Sequence, residues 1–99
     1  MKRSDVKVPV LPVVYVTHDE EKYTIEIELA GVEKDKISLE VSERGFCVRA
    51  PREDIEYFGC WTLSHDVKPE EAKATFKSGL LTVTIPLAKP MKGREVPIE

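Results

Sequence analysis

The sequence predicts an all-β chain folded as a sandwich of two antiparallel sheets. Two observations predict it: apolar and polar residues alternate with a period of two in one short segment after another, and helical periodicity is nearly absent. A third is the punctuation, since turn-forming residues separate the segments at the spacing of sandwich strands. Val14 to Thr17 reads as the first strand, closed by the Asp19-Glu20-Glu21 turn. In the second, Tyr23, Ile25, Ile27 and Leu29 face one way and Thr24, Glu26 and Glu28 the other, before the break at Ala30-Gly31. Ile37, Leu39 and Val41 repeat the pattern against Ser38 and Glu40, and the Glu43-Arg44-Gly45 turn leads to Phe46, Val48 and Ala50. Tyr57 to Leu63 forms the next strand. Lys68 to Lys73, opening at Pro69 with acidic residues behind it, predicts one helical turn. Ala74 to Phe76 and Leu81 to Ile85 are the last two strands, joined through Gly79, whose φ freedom suits a tight reversal. Pro86 has no N–H for a ladder and ends the pattern.

Ninety-nine residues make one domain, because two halves would each bury too little apolar surface. No segment approaches the roughly 20 apolar residues of a membrane-spanning helix. Met1 to Asp5 lacks the apolar run of a secretion signal, so a cytoplasmic location is expected. The net charge of −3, with both signs interspersed, is unlike the basic footprint of a nucleic-acid binder. The chain contains neither Asn nor Gln and is rich in Lys and Glu, a composition expected of a thermophilic source.

The final hairpin carries more specific wording. Ala74, then Gly79-Leu80-Leu81-Thr82-Val83, Ile85 and Pro86 together resemble the signature of the small heat-shock proteins, the Hsp20 or α-crystallin family. Leu29-Ala30-Gly31-Val32 is similar to that family's strand-ending Leu-Pro-Gly-Val, with Ala30 in place of proline. Lys36 to Val41, Gly45 to Ala50, and Leu63 to Val67 followed by Pro69 resemble its other strands in order and spacing, with Ser64 in place of a proline. The resemblance runs from about Val14 to Pro86. It implies an immunoglobulin-like sandwich, the α-crystallin domain, over residues 13–87. A short N-terminal arm would occupy residues 1–12 and a flexible C-terminal tail residues 88–99.

The chain departs from the family in one loop. Microbial and plant relatives carry a long loop after the strand corresponding to Phe46–Ala50, and it swaps an extra strand into a partner. Only Pro51 to Asp54 stand there in this chain, too few to reach another subunit. With so short an arm as well, a dimer or small oligomer is expected rather than a large shell. The shortened loop also sets a register. With Glu53-Asp54 as the centre of a two-residue hairpin, Phe46 opposes Trp61, Val48 opposes Gly59 and Ala50 opposes Tyr57 on an apolar face. Cys47 then opposes Cys60 on the other face, at a separation that a disulfide can span. Either a cross-strand disulfide, suited in a cytosol mainly to a hyperthermophile, or two reduced thiols fits this placement.

After Pro86 the chain is polar and aperiodic until it ends in Val96-Pro97-Ile98-Glu99. Two branched aliphatics flanking a proline resemble the family's Ile-x-Ile/Val motif, which plugs a groove in a neighbouring subunit. The resemblance puts the receiving groove between the Ile37–Val41 and Ala74–Phe76 strands, with Leu39, Val41, Ala74 and Phe76 as its candidate lining. Val8-Pro9-Val10 repeats the pattern near the other end, so Val8 and Val10 are candidates for a second plug.

The residues offer nothing catalytic. His18 and His65 have no Cys or carboxylate at zinc-like spacing, and no glycine-rich phosphate loop is present. No cofactor, metal or enzymatic activity is expected. The resemblance implies instead an ATP-independent holdase chaperone of the stress response. It would bind partly unfolded clients at apolar grooves and associate with itself. The alternatives are a co-chaperone or adaptor resembling the p23/CS domain, and an accessory subunit of a larger small heat-shock assembly.

Overall fold

Alternation in the sequence becomes alternation in space. The computed structural model describes residues 7–91 and 93–99, with eight strands in two four-stranded sheets. In chain order they are β1 (Val8–Val10), β2 (Val14–His18), β3 (Lys22–Glu28), β4 (Ser38–Ser42), β5 (Gly45–Pro51), β6 (Ile55–Thr62), β7 (Lys73–Lys77) and β8 (Leu80–Pro86). One sheet has the order β1-β6-β5-β4 and the other β2-β3-β8-β7. Every pairing is antiparallel except β1 with β6, which is parallel. Among the described residues no helix is long and apolar enough to cross a membrane.

The inward residues of the central strands make the core. Tyr23, Ile25 and Ile27 of β3, Leu81, Val83 and Ile85 of β8, and Phe46, Val48 and Ala50 of β5 are all buried, together with Leu29, Leu63, Val67 and Leu87 at strand ends. Fully burying such a side chain stabilises the fold by about 1.5–3 kcal/mol, so the two sheets hold each other through this layer. The β7–β8 turn needs positive φ at both central residues, and Ser78 (52°) and Gly79 (80°) supply it. That is the primed-turn pattern whose twist matches a two-residue hairpin.

Two expectations need correction. The helical turn expected over Lys68–Lys73 is a single 3-10 turn over Pro69–Glu71, because Ala72 is already extended as the chain enters β7. A second 3-10 turn, Lys34–Lys36, was not expected at all. The arm expected over residues 1–12 also becomes part of the sandwich at Val8. Strand β1 lies on β6, and Pro12 is buried.

Candidate docking surfaces

The sandwich has two lateral sides, and one short link shows which strands share a side. Only Leu11, Pro12 and Val13 separate β1 from β2, which lie at the outer edges of different sheets. Three extended residues reach about 10 Å, the spacing of packed sheets, so the β1 and β2 edges lie together. The other two outer strands, β4 and β7, therefore share the opposite side.

On the β4/β7 side the cross-strand register fixes where the candidate lining points. Leu39 opposes Val48 and Val41 opposes Phe46, while Ala74 opposes Val83 and Phe76 opposes Leu81. Directly opposed residues share a face, and all four opposing partners are buried. Leu39, Val41, Ala74 and Phe76 thus all face inward. Yet Leu39, Val41 and Phe76 are only half-buried, and Ala74 is exposed. Leu39, Val41 and Phe76 pack against the core from its rim, which is thus partly exposed at these two edge strands. Glu40, Glu43 and Glu70 are exposed on the neighbouring surface.

The chain's own C-terminal aliphatics are not packed on this rim. Ala88 N donates to Asp66 O (2.9 Å) and Met91 N to Glu20 O (2.7 Å), which anchors the segment as far as Met91, beyond the boundary expected at residue 88. From Gly93 onward no regular structure forms. Val96 is 73% exposed and Ile98 96% exposed, with Pro97 exposed between them.

The opposite side rests on the β5–β6 hairpin. Its loop is Glu53-Asp54, with Arg52 N bonded to Ile55 O (2.9 Å), and the expected register holds at every position. Phe46 stacks on Trp61 with ring centroids 5.1 Å apart. Cys47 and Cys60 are joined in a disulfide in this structure, their Cα atoms 4.1 Å apart. That spacing fits a non-hydrogen-bonded pair, where side chains of opposed strands come closest. On the same outer face the Arg49 guanidinium lies 4.5 Å from the Phe58 ring centroid. Val8 and Val10 lie on the β6 edge of their own chain, opposite Ile55 and Tyr57. Lys7 Nζ ties this strand to the hairpin through Arg52 O (3.0 Å) and Glu53 O (2.8 Å). Gly59 leaves room here for neighbouring side chains, since a Cβ would lie 2.6 Å from Trp61 Cη2 and 2.8 Å from Leu11 Cδ1 and one or both would have to shift.

One cluster escaped the sequence reading. His18 and His65, the two histidines, meet edge to face with ring centroids 5.1 Å apart. Buried Tyr23 lies between their segments and accepts a hydrogen bond from His65 N (3.1 Å). Nothing local signals this contact, because it depends on where the β6–β7 connection passes the end of β2. Beside it, Asp19 Oδ1 accepts bonds from Glu21 N (2.8 Å) and Lys22 N (2.9 Å), and these hold its carboxyl below the usual carboxylate range. Among the described residues no three His, Cys, Asp or Glu side chains are grouped so as to hold a metal ion.

Comparison with known proteins agrees with this architecture. The model of the Hsp20/alpha crystallin family matches residues 15–99. Small heat shock protein C4 of Rickettsia felis is 26% identical, over 84% of this chain and 61% of its own length. The 16.9 kDa class I heat shock protein 1 of Triticum aestivum is 28% identical, over 80% and 64%. The chain thus spans rather less than two thirds of these relatives. Among solved structures, heat shock protein 16.0 from Schizosaccharomyces pombe superposes with a TM-score of 0.75 at 17% identity, covering 91% of this chain and 99% of that one. The CS-b5R domains of human Ncb5or give 0.70 at 16% identity, covering 88% of this chain and 25% of that one. These two likenesses speak to the fold.

Proposed function

Because the chain belongs to the Hsp20/alpha crystallin family, we propose that it acts as an ATP-independent holdase, capturing partly unfolded proteins and delaying their aggregation. The observation that carries the reading is the apolar rim at the β4 and β7 edges, with Leu39, Val41, Ala74 and Phe76 turned inward but incompletely covered. Unfolded clients present extended aliphatic segments, which such an apolar rim accommodates. The natural competitor is the tail. Val96 and Ile98, free of their own sandwich, dock in a neighbouring subunit's groove, and Pro97 holds them extended so that both point the same way. Burying each would contribute about 1.5–3 kcal/mol, much of it offset by ordering the tether, so a single tail docks reversibly. Several tails acting together hold an assembly that heat or excess client loosens. On this reading residues 13–87 work as the chaperone domain and the segment after Met91 as the tail.

The test is light scattering and aggregation suppression on the full chain and on a chain ending at Arg94. The expected result is a smaller particle with altered suppression of a heated client. A truncated chain matching the full one in both size and suppression removes the tail from the mechanism. If neither chain slows aggregation, the holdase reading fails. An adaptor of the CS type, favoured by the two-residue β5–β6 loop and by the likeness to the human CS-containing structure, then takes its place.

A further inference from the structure

We propose that the Cys47–Cys60 disulfide is a thiol-exchange site, at which the thiolate of a small molecule attacks Cys60 and Cys47 is the sulfur that leaves. The bond lies on the outer face of the β1-β6-β5-β4 sheet. Neither cysteine belongs to the core layer, for Cys60 is exposed and Cys47 half-buried. Two open depressions, of about 720 and 330 Å³, flank the bond on this sheet, and both cysteines line each of them. A disulfide that thiols can reach is the labile kind.

The hairpin does not depend on the bond for its pairing. On the other face of the same two strands Phe46 stacks on Trp61, and Val48 and Ala50 are buried. The two-residue loop and the ladder from Gly45–Thr62 to Pro51–Glu56 fix the register independently. The bond can therefore open while the strands stay paired, so exchange needs no unfolding.

Position decides which sulfur is attacked. A thiolate approaches in line with the S–S bond, from the side opposite the leaving sulfur. The bond crosses from β5 to β6, so attack on Cys47 comes from the β4 side and attack on Cys60 from beyond β6. On the β4 side Glu40 opposes Cys47 directly, and its carboxylate repels the incoming anion. Beyond β6 stands only β1, which pairs with Ile55, Glu56 and Tyr57 and stops short of Cys60. Among the described residues no strand covers that flank. Cys60 is the sulfur within reach. The thiolate then forms at Cys47, on the same face as Arg49. That guanidinium is held over Phe58 (4.5 Å) and by Glu56 (3.2 Å), and its charge counters that of Glu40.

In the first step the incoming sulfur bonds to Cys60 Sγ as the S–S bond breaks, and the electron pair departs on Cys47 Sγ. A second thiolate attacks the small-molecule sulfur of this mixed disulfide and releases Cys60. Two thiols become one disulfide, the protein takes up their two electrons, and their two protons end on the cysteines. The oxidised small molecule reverses the sequence, so the cross-link follows the surrounding thiol pool. The inference stands apart from the holdase reading, whose rim and tail contain no cysteine.

The experiment is reduction of the full chain by glutathione across a range of urea concentrations, after oxidation with glutathione disulfide. Samples are quenched with acid and the adduct is located by peptide mass mapping. We expect a rate that rises in proportion to glutathione and stays level in urea below the unfolding transition. The adduct should be about tenfold more abundant on Cys60 than on Cys47. Independently, iodoacetamide should alkylate the remaining thiol of Cys47→Ser several-fold faster than that of Cys60→Ser. Opening only where urea unfolds the chain overturns the proposal. So does an adduct shared equally or held on Cys47, equal alkylation of the two variants, or a pair of thiols that glutathione disulfide fails to close.

Discussion

The two lateral sides of the sandwich expose different chemistry. Along β4 and β7 the strands carry exposed charge, Glu40 on one and Lys73 and Lys77 on the other, and what they leave partly uncovered is apolar side-chain surface. Along β1 and β2 the sheets are bridged by a three-residue link through buried Pro12, and what stands open is the backbone of β2. Side-chain surface of this kind is non-directional and tolerates many aliphatic sequences. A strand edge fixes orientation and register before any side chain is consulted. A single fold can thus keep a permissive surface and a register-specific one apart, each on the side whose edge strands allow it.

If the two sides are separable, damage to one should spare the other. The largest effect is expected from Cys47→Ser with Cys60→Ser. Closing a loop of this size contributes about 3 kcal/mol, so the urea midpoint should fall clearly, while aggregation suppression at low temperature should change little. A loss of suppression under native conditions would show that the groove leans on the hairpin after all. Next comes Gly59→Ala, whose methyl group must displace Trp61 or Leu11 at about 1–3 kcal/mol. Hydrogen exchange should then quicken at Val8 and Val10 and stay unchanged in β7. Equal quickening in both strands would deny the separation. The smallest effect belongs to Asp19→Asn. The folded carboxyl titrates below its unfolded value because it accepts the Glu21 and Lys22 amide bonds, so its contribution is present above about pH 4 and fades as pH falls through the lowered folded value. The wild-type advantage in melting temperature should narrow on acidification, and a constant gap would remove the carboxylate from the account.

The central strands were legible because each alternates over enough residues to give a period, and the β5–β6 register followed once a two-residue loop was assumed. The Cys47–Cys60 pairing came from the same reasoning, although the state of the thiols did not. β1 was illegible as a strand. Three residues with a proline at the centre carry no period, and their parallel partner lies more than forty positions away. The His18–His65 contact was hidden for the same reason of sequence distance. At the candidate groove the residue types were readable. Their partial exposure was not, since it depends on how far apart two edge strands stand.

The parallel course of β1 has a mechanical consequence. Lys7 sits by the Glu53-Asp54 hairpin, at the end of the sandwich where Arg52 Nη1 donates to Ala30 O (2.5 Å). The segment beyond Pro86 leaves from the other end, where Leu87 N meets Glu21 O (2.8 Å) and Ala88 N meets Asp66 O. Tension applied between these two points would pull β1 lengthwise along β6 and β8 lengthwise along β3 and β7. Every rung of those ladders would then bear the load at once instead of peeling open one after another. A subunit anchored at both poles would transmit force through its strands and resist being unzipped.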